Sequence, residues 1–249
     1  MSIKAYTTEI WAHRGVASFY PENTIEAFQE AVSVGSDGIE LDVRLSHDGE
    51  IIVFHDETLR RLAGIKRQIQ DMHWSELEHI RLQGFLFAGT IPTMRQVFET
   101  LAQTKLNLNI EVKSYIRNND LLEQKLIALT DEFHMCDRVI YSSFNPQVIS
   151  RFRRLNCPSK LGLLMRRRRK KMLRLAKSLQ VDAIHPHWHL IRSEADIQAI
   201  HQAGMAVHVW TTDEIKRAKR LMEWGADAII CNHPNRAIEL RTKLNSLKR

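Results

Sequence analysis

Short apolar, β-rich segments alternate with longer amphipathic stretches along this whole chain, and that alternation constrains the fold more than any other feature. The strand-like segments fall near 9–13, 38–45 together with 51–55, 106–113, 138–143, 160–165, 182–186, 206–211 and 227–231. Counting 38–55 as one strand plus an excursion gives eight. Helical patterns lie between them at 23–32, 118–134, 145–156, 169–179, 192–203 and 212–224. In the first, Ala27, Phe28, Ala31 and Val32 form one stripe. Asn23 is its expected N-cap, Glu26 completes a capping-box pattern, and Gly35 stands near its stop. Eight β/α alternations in 249 residues fit an α/β fold, a single (β/α)8 barrel, better than an open doubly wound sheet. No Gly/Ser-rich linker and no internal repeat of about 20–50 residues marks a second domain. Residues 1–249 therefore read as one domain. The stretch from about Glu57 to Pro92 breaks the rhythm, with a weak helical pattern at Trp74–Leu82. It reads as a short excursion over the barrel rim, too small to fold alone.

Composition narrows the class. With 44% apolar and 26% charged residues the chain is not disordered, low-complexity or collagen-like. No apolar run approaches the ~18 residues of a membrane span, and Met1–Glu9 lacks the apolar core of a secretory signal. Cys136, Cys157 and Cys231 are odd in number and widely spaced, which fits a reducing, cytoplasmic setting. The net charge of +7 is local: without Arg166–Lys171, 30 basic residues face 29 acidic ones. A nucleic-acid partner is not expected, because such proteins spread basic residues over a face and interleave aromatics.

Side chains alternate faces along a strand. In Gly38-Ile39-Glu40-Leu41-Asp42-Val43, the apolar residues share the helix-facing side, and Glu40 and Asp42 point to the barrel interior. Leu108–Lys113 repeats the pattern, with Glu111 and Lys113 inward. Three inward carboxylates suit a hard divalent cation, Mg²⁺, Ca²⁺ or Mn²⁺; a salt-bridge network with Lys113 and Arg44 is the metal-free alternative. His13 and Arg14 follow the first strand and His55 follows Ile51–Phe54. Strand C-termini are where barrels keep catalytic groups. Two histidines suit acid–base chemistry, and Arg14 suits an oxyanion. With a divalent ion, Glu40, Asp42, Glu111, Arg14 and Lys113 leave one net positive charge, the complement of a phosphodiester.

The ordered set His13-Arg14-Gly15, Pro21-Glu22-Asn23-Thr24, Ile39–Val43, Asp48-Gly49, His55-Asp56, Ile91-Pro92-Thr93, Glu111-Val112-Lys113, Ser143-Phe144, Trp210-Thr211 and Gly225-Ala226-Asp227 resembles the glycerophosphodiester phosphodiesterase family, over nearly the whole chain. The resemblance implies a TIM barrel that hydrolyses glycerophosphodiesters to glycerol 3-phosphate and an alcohol with one divalent metal ion, in lipid and glycerol metabolism. It implies His13 and His55 as the acid–base pair, with His13 as base and His55 as acid. It also implies Glu40, Asp42 and Glu111 as metal ligands, Arg14 and Lys113 beside the phosphate, and Trp210 against the glycerol carbons. A lysophospholipase D acting on lysophospholipids is the alternative.

Two positions depart from the family pattern: His208 stands where Asn is frequent, and Cys231-Asn232 where Thr-Asp is common; both are expected beside the alcohol group, bearing on substrate preference and touching neither the metal nor the histidine pair. His208 shares a strand face with Trp210 and reads either as a pocket residue or as a rim histidine. His185, His187 and His189 have a spacing that Pro186 and Trp188 are expected to break. Arg166–Lys171, placed on the catalytic rim, reads as a solvated run, with weak peripheral membrane contact as the functional alternative. Gly84–Gly89, with Phe85 and Phe87, is expected to be buried under its own loop, with an exposed aromatic pair that contacts a lipid tail as the functional alternative.

Overall fold

A computed structural model describes residues 5–113, 121–167 and 172–247. Eight parallel strands close into a barrel: β1 (Glu9–His13), β2 (Gly38–Leu45), β3 (Asn107–Val112), β4 (Val139–Ser143), β5 (Lys160–Met165), β6 (Ala183–Pro186), β7 (Ala206–Val209) and β8 (Ala228–Cys231). Each pairs with its sequence neighbour, and β1 closes the ring by pairing with both β2 and β8. This is a TIM barrel, as the alternation predicts.

Two shells follow from the alternation of side chains. Ile10, Ile39, Leu41, Val43, Leu108 and Ile110 face outward, where Phe28, Phe98 and Phe152 of the helices cover them. Each such residue buried contributes about 1.5–3 kcal/mol. Inward, Trp11, Ile140, Ala183, Ala228 and Ile230 fill the lumen. Gly162 on β5 makes room there for His185: a Cβ would lie 2.5 Å from the His185 Nε2.

The excursion is built on its own small cluster of Ile52, Phe54, Leu59, Ile69, Met72, Leu77, Leu82 and Ile91. The strand Ile51–Val53 pairs antiparallel with β2 and carries the chain into it. The expected helix at 74–82 ends at Leu77, and Arg81–Gln83 pairs instead with Ala88–Thr90 as a hairpin. Helices Met94–Leu101 and Pro234–Ser246 were not anticipated from the sequence. The first begins at a reciprocal cap, in which Thr93 Oγ1 accepts from Gln96 N and Gln96 Oε1 accepts from Thr93 N.

The expected N-cap Asn23 is corrected. The first helix runs Ile25–Ser33 and is capped by Thr24, whose side chain accepts from Ala27 N. Asn23 is drawn away because its amide is spent on Asp42, from a backbone held at φ 60°.

Candidate active site

His13 ends β1, and its Cα is in register with that of Glu40 on β2. Asp42, two residues on, is in register with Glu111 on β3. Period-2 alternation therefore brings four chemically capable side chains from three adjacent strands to one end of the lumen. Immediately after β1 the chain turns sharply. Arg14 sits at φ 55° with its N–H donating to Glu40 O at 2.8 Å. At Gly15, φ 78°, a Cβ would lie 2.7 Å from the Ala27 backbone, so this loop needs glycine to lie against the first helix.

Glu40, Asp42 and Glu111 are 4%, 0% and 8% exposed, and one oxygen of each lies within 4.8 Å of the others. Three like charges at that spacing need compensation. Lys113 supplies part, with Nζ 2.7 Å from Asp42 Oδ1 and a hydrogen bond to Glu111 Oε1. Arg14 Nε lies 3.3 Å from Asp42 Oδ2, and Asn23 Nδ2 donates to that oxygen at 2.8 Å. Burial pushes the Asp42 carboxyl up, but Lys113 and Arg14 outweigh it and hold Asp42 well below the usual range. Glu40 goes the other way, raised by burial and then by Asp42 and Glu111. Burial also raises Glu111, with Lys113 offsetting part and Asp42 adding to it. Among the described residues Glu40 has no Lys or Arg side chain at ion-pair distance; the Arg14 N–H donates to its Oε2 at 3.2 Å, and His13 Nε2 faces it at 3.8 Å. A buried, all-oxygen donor set with negative charge left over fits a hard divalent cation. Lys113 joins the network as the metal-free reading foresaw. Arg44 Nε and Nη2 donate to His55 O at 2.9 and 2.6 Å.

The two histidines are backed differently. Asn232 Nδ2 donates to Asp213 Oδ2 at 2.6 Å, which leaves Asn232 Oδ1 to accept from His13 Nδ1 at 2.7 Å. Asp213 Oδ1 also accepts from Asn232 N at 2.7 Å. His13 is thus the Nδ1–H tautomer, with its Nε2 toward the carboxylates. Burial, then Arg14, lowers it to about 4. His55 Nδ1 bonds Asp56 Oδ1 at 2.6 Å. Arg61 Nε donates to Asp56 Oδ2 at 2.7 Å and grips Glu22 with both Nη atoms, and Glu22 in turn accepts from Arg14 Nη1 at 2.7 Å. One chain of alternating charges therefore links His55 to Arg14. Asp213, Glu22, Asp56 and Arg61 are residues of this site left without a role by the sequence, and Asn232, expected beside the alcohol and away from the histidine pair, instead bonds His13. The His55-Asp56 pair, Glu22 within Pro21–Thr24 and the departure at Asn232 were the signals.

Trp210 follows β7 at the same end. Its Nε1 donates to His185 O at 2.8 Å, and Phe144 and His187 approach it edge-on. His208 does not reach this mouth. It lies deeper, against Trp11 and His185, and lines a cavity of about 650 Å³ at the opposite end of the barrel with Glu9, Lys160 and Asp227. His185 is fully buried in the lumen while His187 and His189 pair at the surface, so the three do not converge on a metal. Arg166 and Arg167 follow β5 at the catalytic end and are exposed; positions 168–171 lie outside the described residues.

Residues 13–236 match the model of the glycerophosphoryl diester phosphodiesterase family. The chain belongs to that family. It is accordingly a phosphoric diester hydrolase. A glycerophosphodiester phosphodiesterase of Caldanaerobacter subterraneus subsp. tengcongensis is 34% identical, over 95% of this chain and 98% of the relative. Human lysophospholipase D GDPD1 is 24% identical, over 90% and 83%. Among solved structures, a putative family member from Galdieria sulphuraria superposes with a TM-score of 0.88 at 25% identity, covering 96% of this chain and 100% of that one. An Oleispira antarctica phosphodiesterase in complex with the product sn-glycerol-3-phosphate gives 0.81 at 25% identity, covering 93% and 96%.

Proposed function

We propose that this protein, as one barrel domain over residues 1–249, hydrolyses glycerophosphodiesters to glycerol 3-phosphate and an alcohol in a reaction that requires a divalent metal ion. The observation that carries this reading is the cluster of Glu40, Asp42 and Glu111 within 4.8 Å, faced by His13 at 3.8 Å from Glu40. The three carboxylates are the ligand set for Mg²⁺, Ca²⁺ or Mn²⁺, which when bound supplies Lewis-acid polarisation of a phosphoryl oxygen. Lys113 and Arg14 offset charge that develops on the phosphoryl oxygens. Arg14 has Nη1 on Glu22 and Nε toward Asp42, so its grip on an anion is shared with these carboxylates. His13 holds its proton on Nδ1 and accepts the nucleophile's proton at Nε2. His55, which burial lowers from the ordinary histidine value and whose Nδ1 is held by Asp56, protonates the departing alkoxide. Trp210 lends an aromatic surface at the mouth to the glycerol carbons.

The test is release of glycerol 3-phosphate from glycerophosphocholine and glycerophosphoethanolamine with each of the three metals and with EDTA. Metal-dependent release that Glu40→Ala abolishes is expected; equal release in EDTA would overturn the scheme. A second reading is lysophospholipase D activity, favoured by the human relative and by apolar side chains exposed beside the catalytic mouth. Comparison of lysophosphatidylcholine with glycerophosphocholine as substrate separates the two.

A further inference from the structure

The hairpin of the excursion ends in an apolar tip that stays largely exposed. Phe85, Leu86 and Phe87 are 82%, 60% and 53% exposed, and Phe19, from the loop after β1, is 45% exposed beside them. The local cluster does not need the tip: Leu82, at the hairpin's base, is the side chain it buries. The expectation that this segment lies under its own loop is therefore overturned. The tip is nonetheless held firmly. Gly84 N donates to Phe87 O, Leu86 N and Phe87 N both donate to Phe19 O at 3.1 Å, and Tyr20 stacks on Phe87.

Its place matters. Two residues beyond Tyr20, the same loop presents Glu22 to Arg14 and then Asn23 to Asp42. The apolar tip therefore borders the catalytic mouth. Three exposed arginines add charge to this region: Arg81 on the hairpin itself, and Arg166 and Arg167 after β5 at the same end of the barrel. Among the described residues none of the three is in an ion pair.

We infer that the Phe19/Phe85/Leu86/Phe87 tip, with Arg81, Arg166 and Arg167, docks the catalytic end of the barrel onto an anionic lipid bilayer. The shape excludes a binding pocket for one acyl chain, because a protruding turn encloses nothing. It suits shallow insertion among headgroups, where exposed aromatics and leucine bury their area. Insertion into an apolar medium demands satisfied backbone groups, and the tip's N–H groups at Leu86 and Phe87 already have Phe19 O as their partner. The Arg81 guanidinium on the hairpin, and those of Arg166 and Arg167 at the same end of the barrel, complement anionic headgroups. The described residues contain no helix long and apolar enough to cross a membrane, so the contact is peripheral. This inference rests on the surface alone and stands apart from the proposed reaction.

The test is flotation of the full chain with unilamellar vesicles of phosphatidylglycerol and phosphatidylcholine, beside vesicles of phosphatidylcholine alone. The wild-type protein is expected to float with the anionic vesicles, less so at high salt. The F85S/L86S/F87S variant is expected to bind at least about tenfold more weakly while it keeps the wild-type unfolding temperature. The R81S/R166S/R167S variant is expected to lose the preference for anionic vesicles. Three results would overturn the inference: wild-type protein that stays with the lipid-free fraction, a tip variant that floats as well as wild type, or a wild-type dimer that the tip variant dissolves. In the last case the occupant is a second copy of this chain.

Discussion

His13 Nδ1 lies 2.7 Å from Asn232 Oδ1, across 219 residues of sequence, and Asn232 is itself clamped by both carboxylate oxygens of Asp213. That pairing fixes which nitrogen of His13 carries the proton. A bond that sets a tautomer is worth more to turnover than to stability. Asn232→Ala is expected to lower kcat about 10- to 100-fold with little change in KM. The double variant Asn232→Asp/Asp213→Asn, which keeps an acceptor toward His13 and restores the amide-to-carboxylate bond with its direction reversed, is expected to recover most of the loss. Steady-state kinetics on glycerophosphocholine check this; equal losses in the two variants would point to a merely structural asparagine.

The acidic triad sets stability against activity. Glu40 is buried, like-charged with Asp42 and Glu111, and raised for that reason. Glu40→Gln is therefore expected to raise the unfolding temperature of the metal-free protein by about 2–4 °C, the equivalent of roughly 1 kcal/mol in a chain of this size, while abolishing metal-dependent turnover. Asp42→Asn behaves oppositely, because Asp42 is the anion that Lys113 and Arg14 surround. Its loss leaves two buried cations short of a partner, at about 3–5 kcal/mol. Thermal unfolding in EDTA distinguishes the pair.

The barrel alternation was legible because strands covered on both faces carry apolar residues toward the helices, so the polar exceptions Glu40, Asp42, Glu111 and Lys113 stood out by period two. His13 and His55 were legible as candidates from their place after strands. What supports them was not. Asp213 and Asn232 reach His13 only through barrel closure, and the bridge from Asp56 through Arg61 to Glu22 spans the excursion and the loop after β1. Asn23 fits the local cap pattern and was lost to a tertiary demand, the unpaired lone pairs of Asp42. Phe85 and Phe87 misled in the reverse sense, because an apolar run states that burial is favourable and not which surface provides it.

Gly162 tests how closely the lumen is filled. A Cβ there would meet His185 Nε2 at 2.5 Å, and His185 is itself fully buried. Gly162→Ala is expected to cost about 1–3 kcal/mol by overpacking. The loss would be read from chemical denaturation at unchanged m-value. A neutral result would show that the lumen relaxes.

His185 and His208 lie 3.1 Å apart in that lumen, and together they set an acid limit on stability. Burial, then the neighbouring imidazole, holds His185 well below its ordinary value, and burial lowers His208 to about 4. Below the ordinary histidine pKa of about 6.5, the unfolded chain takes up protons that the folded chain refuses. Folding stability is then expected to be complete above about pH 6.5 and to fall as the pH drops from there toward 4. Each fully buried histidine adds a slope of up to about 1.4 kcal/mol per pH unit; His208, half-buried and open to the lower cavity, adds less. His208→Asn removes one titrating ring without touching the catalytic end, so its unfolding free energy is expected to depend less steeply on pH between 4 and 6.5 than that of wild type. Denaturation midpoints at a series of pH values measure the difference. Parallel curves for the two proteins would mean that His208 takes up its proton in the folded barrel as easily as in the open chain.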